Sequence, residues 1–245
     1  MNFNILDGND ADFAKRVWST DPEIYLNRLK AINFNNFDKV LDAGCGVGQW
    51  TLALSKLNKS IEAIEYCPNR FSFCKNLVTE LNFKNVNFTE GSIESLPFDD
   101  AHFDAIFCYS VIFLTDFKKA LKEFSRVLKV GGTLYLNANG LGWYLYNLIV
   151  GHNDTGNFNS KKMAIESISN SINYYALGKV NPGNSLIMPK QVTIHHLKEV
   201  GFVVNKIGPE GTISFSDIIP KSFFKGEYFD DEGVYELVAT KQEKI

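Results

Sequence analysis

Cysteine is scarce in this chain: Cys45, Cys67, Cys74 and Cys108 are all that 245 residues carry. They show no CxxC spacing and no neighbouring histidine pair, which argues against a disulfide scaffold or a zinc centre; reduced, buried thiols are expected. No apolar run approaches the roughly 20 residues that a membrane-spanning helix needs. The opening MNFNILDGND has acids where a secretory leader would have a basic and then an apolar stretch, so a cytoplasmic chain is expected. Basic excess is missing too. A formal charge of −3 and a pI near 5.8 give no electrostatic ground for nucleic acid or an anionic membrane as principal partner. The sequence has no internal repeat, no low-complexity tract and no GxxxxGK[ST] phosphate loop. It also lacks a cluster of carboxylates that would hold a divalent metal beside an acceptor, and no metal is expected.

What is present is a regular alternation. With 45% hydrophobic residues the chain can bury a full core as one α/β domain. From residue 38 to about 138, apolar runs alternate with helical patterns, the mark of βαβ units around a parallel sheet. KVLDAG reads as the first strand and QWTLALSKL as the helix after it. SIEAIEY is the second strand, PNRFSFCKNLVTELN a helix, VNFTEGS a short third strand and HFDAIFCYS a fourth, apolar enough to be covered on both faces. DFKKALKEFSRVLKVGG sets Ala120, Leu121, Phe124, Val127 and Leu128 on one helix side, with Gly131 and Gly132 as its expected stop. TLYLNAN follows as strand five. The pattern then breaks into the aromatic segment LGWYLYNLIVGHN, a polar loop, a helix near KKMAIESISNSINYYALG and a turn at NPG. TIHHLKEVGFVVNKIGP reads as helix then strand, and GVYELVATKQ as a last strand.

LDAGCGVGQW, residues 41–50, strips the chain of side chains at Gly44, Gly46 and Gly48. The dinucleotide fingerprint is GxGxxG, with pyrophosphate on the helix N-terminus. Here the third glycine comes one residue early, so bare backbone meets a ligand without the usual phosphate register. Glu65 ends strand two about 20 residues after the first glycine, where an acid can accept ribose hydroxyls. Turn and acid together specify an adenosine-like ligand that needs no phosphates.

DAGCGVG, Glu65, EGSIESLPF and FDAIFCYSVIFLTDFKKALKEFSRVLKVGG together resemble the class I S-adenosylmethionine-dependent methyltransferases, in particular their type 11 small-molecule group. The resemblance covers roughly residues 35–138. It implies a Rossmann-like, doubly wound sheet of seven mostly parallel strands, an antiparallel last strand and a helical lid insertion. One domain spans 1–245: an N-terminal helical cover (1–35), a cofactor-binding core (36–138), a lid or substrate insertion (139–190), and a C-terminal helix with strands (191–245). The implied cofactor is S-adenosyl-L-methionine, with S-adenosyl-L-homocysteine as product. Asp42 would lie beneath its methionine end while Gly44, Gly46 and Gly48 admit it. Glu65 would take the ribose hydroxyls and Tyr66 lie on adenine. Ser92 replaces the family's usual aspartate toward the adenine amino group. A hydroxyl makes a weaker bond there, leaving more of the recognition to the backbone of Ile93. Cys108, Tyr109 and Ser110 would line the floor near the methionine part.

Methyl transfer from a sulfonium needs positioning more than covalent help. The implied acceptor is an oxygen or nitrogen of a small metabolite. RNA or protein methylation, or a cofactor-binding module without catalysis, are the alternatives, with a nicotinamide dehydrogenase disfavoured by the glycine register. Strand four ends in CYSV and not in the Asn-or-Asp-Pro-Pro-aromatic turn of base-amino methylators, which lowers the nucleic-acid reading further. His152, in the lid, and Tyr109 are the candidate catalytic residues, histidine being the side chain whose charge changes near neutral pH. His195 and His196 read as structural, and His102 as a surface residue. Trp143, Tyr144, Tyr146, Phe158, Tyr174 and Tyr175 form either an acceptor pocket or the lid's own core. Trp18 and Tyr25 either close over the cofactor or pack on the sheet edge. Acceptor identity and oligomeric state are not legible.

Overall fold

The computed structural model describes residues 1–181 and 183–243. Seven strands form one sheet: β1 (Lys39–Ala43), β2 (Ser60–Glu65), β3 (Val86–Glu90), β4 (Phe103–Cys108), β5 (Leu128–Asn139), β6 (Phe202–Pro209) and β9 (Val234–Lys241), in the order β3-β2-β1-β4-β5-β9-β6. β1 to β5 pair in parallel, and β9 runs antiparallel to both β5 and β6. The expected seven-stranded sheet with an antiparallel last strand is therefore present. Two short strands, β7 (Glu227–Tyr228) and β8 (Asp231–Glu232), make a separate hairpin that the sequence did not signal.

Alternation along the strands divides the core into two layers. Leu41, Ala43, Ile106, Cys108, Leu134 and Leu136 face α5 (Phe117–Val127) and α8 (Lys190–Glu199). Val40, Ala105, Phe107 and Tyr135 face α2 (Glu23–Ala31), α3 (Gln49–Leu57) and α4 (Pro68–Leu81). β4 is buried nearly throughout, as a central parallel strand covered on both faces must be. α5 buries Phe117, Ala120, Leu121, Phe124 and Val127 completely and leaves its lysines to solvent. That burial is why the helix forms here.

Some details differ from the sequence reading. α5 ends at Val127 because Leu128 already pairs with Phe103, and Gly131, at φ +79°, belongs to an irregular stretch of β5 and not to a helix stop. Strand four stops at Cys108, two residues short, as Ser110 turns to φ +59°. The aromatic segment is a helix, α6 (Leu141–Val150), closed by Gly151 at φ +69°. With α7 (Ser160–Leu177) it forms the insertion after strand five. Its aromatics are tied both within it and to the main core: Tyr144 and Tyr175 donate their phenols to Leu186 O and Ile187 O, whereas Tyr174 donates to Asp116 Oδ1 and packs against Phe117. None of the described helices is long and apolar enough to cross a membrane.

Candidate functional site

In an open parallel sheet a ligand settles outside the carboxyl ends of the strands where the strand order reverses, here between β1 and β4. The glycine turn lies at that point. Gly44, Gly46 and Gly48 have φ of +85°, +58° and +84°, so each occupies the left-handed region. Their surroundings differ. A Cβ on Gly44 would come within 2.5 Å of both Val111 methyl carbons, and one on Gly48 within 3.2 Å of Leu77 and 3.3 Å of Cys74 Sγ. On Gly46 it would meet nothing within 4 Å. An added Cβ would thus meet Val111 at Gly44 and α4 at Gly48, while at Gly46 it would face open space.

The turn is fastened from several sides. Gly44 and Cys45 donate their amides to Ile64 O at 2.9 and 3.0 Å. Trp18 Nε1 donates to Val47 O at 3.1 Å and Cys74 Sγ to Gly46 O at 3.2 Å. Trp18, at the end of α1 (Gly8–Trp18), thus ties the N-terminal cover to the turn, while Tyr25 is buried edge-on against Trp50. All four cysteines are free thiols, Cys67 being only half-buried.

Glu65 closes the site from β2. It is buried, and its Oε2 accepts the Gly46 amide at 2.9 Å. Its Oε1 accepts the Cys67 amide at 2.9 Å and Arg70 Nε at 3.0 Å. Arg70 was not singled out in the sequence; its place five residues after the acid, in the first turn of α4, is the signal that would have found it.

Asp42 lies on β1, 2% exposed, with Thr51 Oγ1 donating to its Oδ2 at 2.6 Å. Burial, helped by the Glu65 charge and opposed by the Thr51 bond, pushes its carboxyl up to about 7. The folded chain therefore keeps this proton to higher pH than the unfolded chain, whose carboxyl titrates near 3.8. The resulting penalty is absent below that lower value, grows as pH rises through the interval and is complete above about 7. Asp42→Asn removes it. Urea unfolding should show the variant's stability advantage growing from pH 5 to pH 7.5, to on the order of 2–4 kcal/mol. An advantage that does not change with pH would contradict this origin.

Ser92 accepts the Glu94 amide on its Oγ at 3.1 Å, an internal turn bond. The Ile93 side chain is core, packed with Ile64, so what Ile93 can offer a ligand is backbone. Gly91 N donates to Glu65 O at 3.0 Å, which keeps this loop against β2. Tyr66 stands 77% exposed at the end of that strand.

The two candidate catalytic side chains are not brought together. Tyr109 donates its phenol to Glu210 Oε1 at 2.7 Å and lies tilted against Trp50, ring centroids 4.7 Å apart. Burial, and then the Glu210 charge, push its pKa well above the usual phenol value. As a proton acceptor it is therefore spent. His152 is exposed in the α6–α7 loop, its ring against Tyr146, which stacks on Tyr228. His102 is half-buried between Phe98 and Phe103 and not a free surface residue. His195 and His196 both approach Glu199 on α8, a cluster able to hold a metal ion but built outside the glycine turn.

Behind Tyr109 lies a network the sequence did not announce. Arg28 on α2 donates to Glu210 Oε1 through Nη1, and through Nη2 to Glu236 Oε2 at 2.6 Å and Tyr135 Oη at 3.1 Å. Glu236 Oε1 accepts the Thr212 and Ile213 amides, and Glu210 Oε2 those of Phe223 and Phe224. Trp50, Tyr109 and Phe223 surround the guanidinium at 5.4 to 5.6 Å. Burial disfavours the Arg28 charge, but the phenols and carboxylates outweigh it and raise its pKa well above the usual arginine value. Sequence separations of 182 and 208 residues explain why no local pattern reveals these pairs.

Comparison with known proteins agrees with this arrangement. Residues 41–136 match the family described as methyltransferase domain. An uncharacterized methyltransferase of Bacillus subtilis, YcgJ, is 35% identical over 99 residues, 40% of this chain and 39% of that protein. The demethylmenaquinone methyltransferase of the same organism is 31% identical over 108 residues, 42% of this chain and 46% of that protein. The match thus spans less than half the length of these relatives. Among solved structures, geranyl diphosphate C-methyltransferase from Streptomyces coelicolor shares the fold, with a TM-score of 0.62 and 15% identity over 97% of this chain and 85% of that one.

Proposed function

We propose that this chain, whose residues 41–136 match a methyltransferase domain, is a class I S-adenosylmethionine-dependent methyltransferase that moves a methyl group from S-adenosyl-L-methionine to an oxygen or nitrogen of a small metabolite. The observation that carries the reading is the pairing of Gly46 with Glu65. One offers bare backbone beside open space, and the other a buried carboxylate hydrogen-bonded to that same backbone. A phosphate-binding register is missing, so an adenosine held by its sugar fits better than a dinucleotide. Demethylmenaquinone and geranyl diphosphate, named for two of the similar proteins, support a small acceptor.

When bound, the sulfonium supplies a methyl group already activated for in-line displacement. The chain's own part is to bind and orient. Gly46 and Glu65 would hold the sugar, Asp42 would meet the methionine end, and Ser92 with the Ile93 backbone would lie at adenine. The turn after β4 is fixed for the acceptor side by Ser110 N donating to buried Asn137 Oδ1 at 2.6 Å. Tyr109 keeps its proton, so positioning carries the rate and a base contributes little beyond what His152 can add.

A second reading is a module that binds the cofactor without transfer. Incubation with methyl-labelled S-adenosylmethionine and a small-metabolite extract tests the two. Label in a small product is expected. Binding with no label in any product would leave the module reading, and label in RNA or protein alone would replace the metabolite acceptor.

A further inference from the structure

Glu199, at the end of α8, is met by two histidines of its own helix. His196 Nδ1 stands 2.6 Å from its Oε2, and His195 Nε2 stands 3.4 Å from its Oε1. The spacings are i to i+3 and i to i+4, the two that bring helical side chains together. Adjacent positions do not face each other on a helix, yet both rings turn here to the one carboxylate. One ligand atom from each of the three residues lies within 4.8 Å of the other two.

The cluster is supported from below and open from above. The His196 side chain is 19% exposed and packs on Phe117 of α5, ring centroids 5.4 Å apart. His195 leans edge-on against His196 at 5.3 Å and is 67% exposed, so an ion can arrive from solvent. The backbone beneath is fastened: Val200 N donates to His196 O at 3.2 Å, Gly201 N to Lys198 O at 3.1 Å, and Ser125 Oγ to Val200 O at 2.6 Å. The carbonyl end of a helix favours positive charge. From α5 the charge that reaches Glu199 is Lys118, whose Nζ lies over the Tyr174 ring, 5.3 Å from its centroid.

We infer that His195, His196 and Glu199 form a binding site for a divalent metal ion of the zinc type, a clip on the last turns of α8. Two imidazole nitrogens with one carboxylate suit zinc, whereas magnesium and calcium take oxygen ligands. With bonds of about 2.0–2.1 Å, tetrahedral ligand atoms stand about 3.3 Å apart. The His195–Glu199 separation already fits that figure, and the His196–Glu199 pair has to open by less than about 1 Å. Water would complete the coordination. β6 begins at Phe202, just beyond Glu199, so the site lies toward the edge where the strands start. It is away from the carboxyl ends of the strands and takes no part in methyl transfer.

Calorimetric titration of the chelator-treated, reduced chain with zinc chloride tests this directly. Saturation at one ion per chain with micromolar affinity is expected, and magnesium chloride should give no comparable heat. His195→Gln, His196→Gln and Glu199→Gln should each weaken zinc binding at least about 10-fold. Cys67→Ser, which removes the half-buried thiol, should leave it unchanged. A second measurement needs no variant: as cobalt(II) is added to the unaltered chain, the ring proton resonances of His195 and His196 should broaden before those of His102 and His152. No saturable zinc binding, equal heat from magnesium, undiminished affinity in His196→Gln and Glu199→Gln, or first broadening at His102 or His152 would each overturn the inference.

Discussion

Arg28→Ala should lower the unfolding free energy by about 3–5 kcal/mol, because it leaves two buried carboxylates without their cation. Glu210 is fully buried and Glu236 is 1% exposed. Both have their remaining oxygens bonded to backbone amides of the 212–224 segment. Removing the guanidinium therefore loosens three elements at once: α2, β9 and the segment after β6. Urea unfolding at neutral pH measures the loss. The companion variant Arg28→Leu with Glu210→Gln and Glu236→Gln should recover much of it, since neutral groups of similar shape carry no unpaired charge. A loss below about 1 kcal/mol for Arg28→Ala would mean that the network is not held by its charges.

Gly46→Ala and Gly44→Ala should fail in opposite ways. At Gly46 the added methyl meets no protein atom within 4 Å, so the fold bears only the left-handed strain of about 1–2 kcal/mol. The methyl would, however, project into the space assigned to the sugar, and affinity for S-adenosylhomocysteine should drop about 10- to 100-fold, as for overpacking of 1–3 kcal/mol. At Gly44 the same methyl overlaps Val111 at 2.5 Å, and the cost falls on stability. Adding Val111→Ala to Gly44→Ala should restore part of that stability, whereas added to Gly46→Ala it should restore no binding. Thermal unfolding with parallel calorimetry separates the two patterns. Equal effects of the two glycine substitutions on binding and on stability would remove the distinction drawn between them.

The core was legible because its signals are local. β1, the glycine turn, α3, β2 and α5 each announce themselves within a dozen residues, by apolar runs or by the helical spacing that buries Ala120, Leu121, Phe124 and Val127. Asp42, Gly46 and Glu65 were legible as a set because one turn and one strand end place them. α6 was not, since LGWYLYNLIV is apolar around most of its circumference and carries a glycine at its second position, so helical periodicity has little polar contrast to show. The stop of α5 was misplaced for a related reason: Leu128 continues the helix's apolar face in sequence but is drawn into pairing with Phe103. Tyr109 looked available because sequence does not show that a glutamate 101 residues later takes its phenol. Arg28 and Arg70 drew no notice in the sequence, because their partners come from other elements.

The most direct single test is calorimetric titration of the intact chain with S-adenosylhomocysteine, beside NADH and beside Glu65→Gln. Saturable binding at one site per chain is expected, with NADH giving no comparable heat and Glu65→Gln losing most of the affinity. Tight NADH binding without response to S-adenosylhomocysteine, or undiminished affinity in Glu65→Gln, would contradict the assignment of the Gly46–Glu65 pair as an adenosyl site.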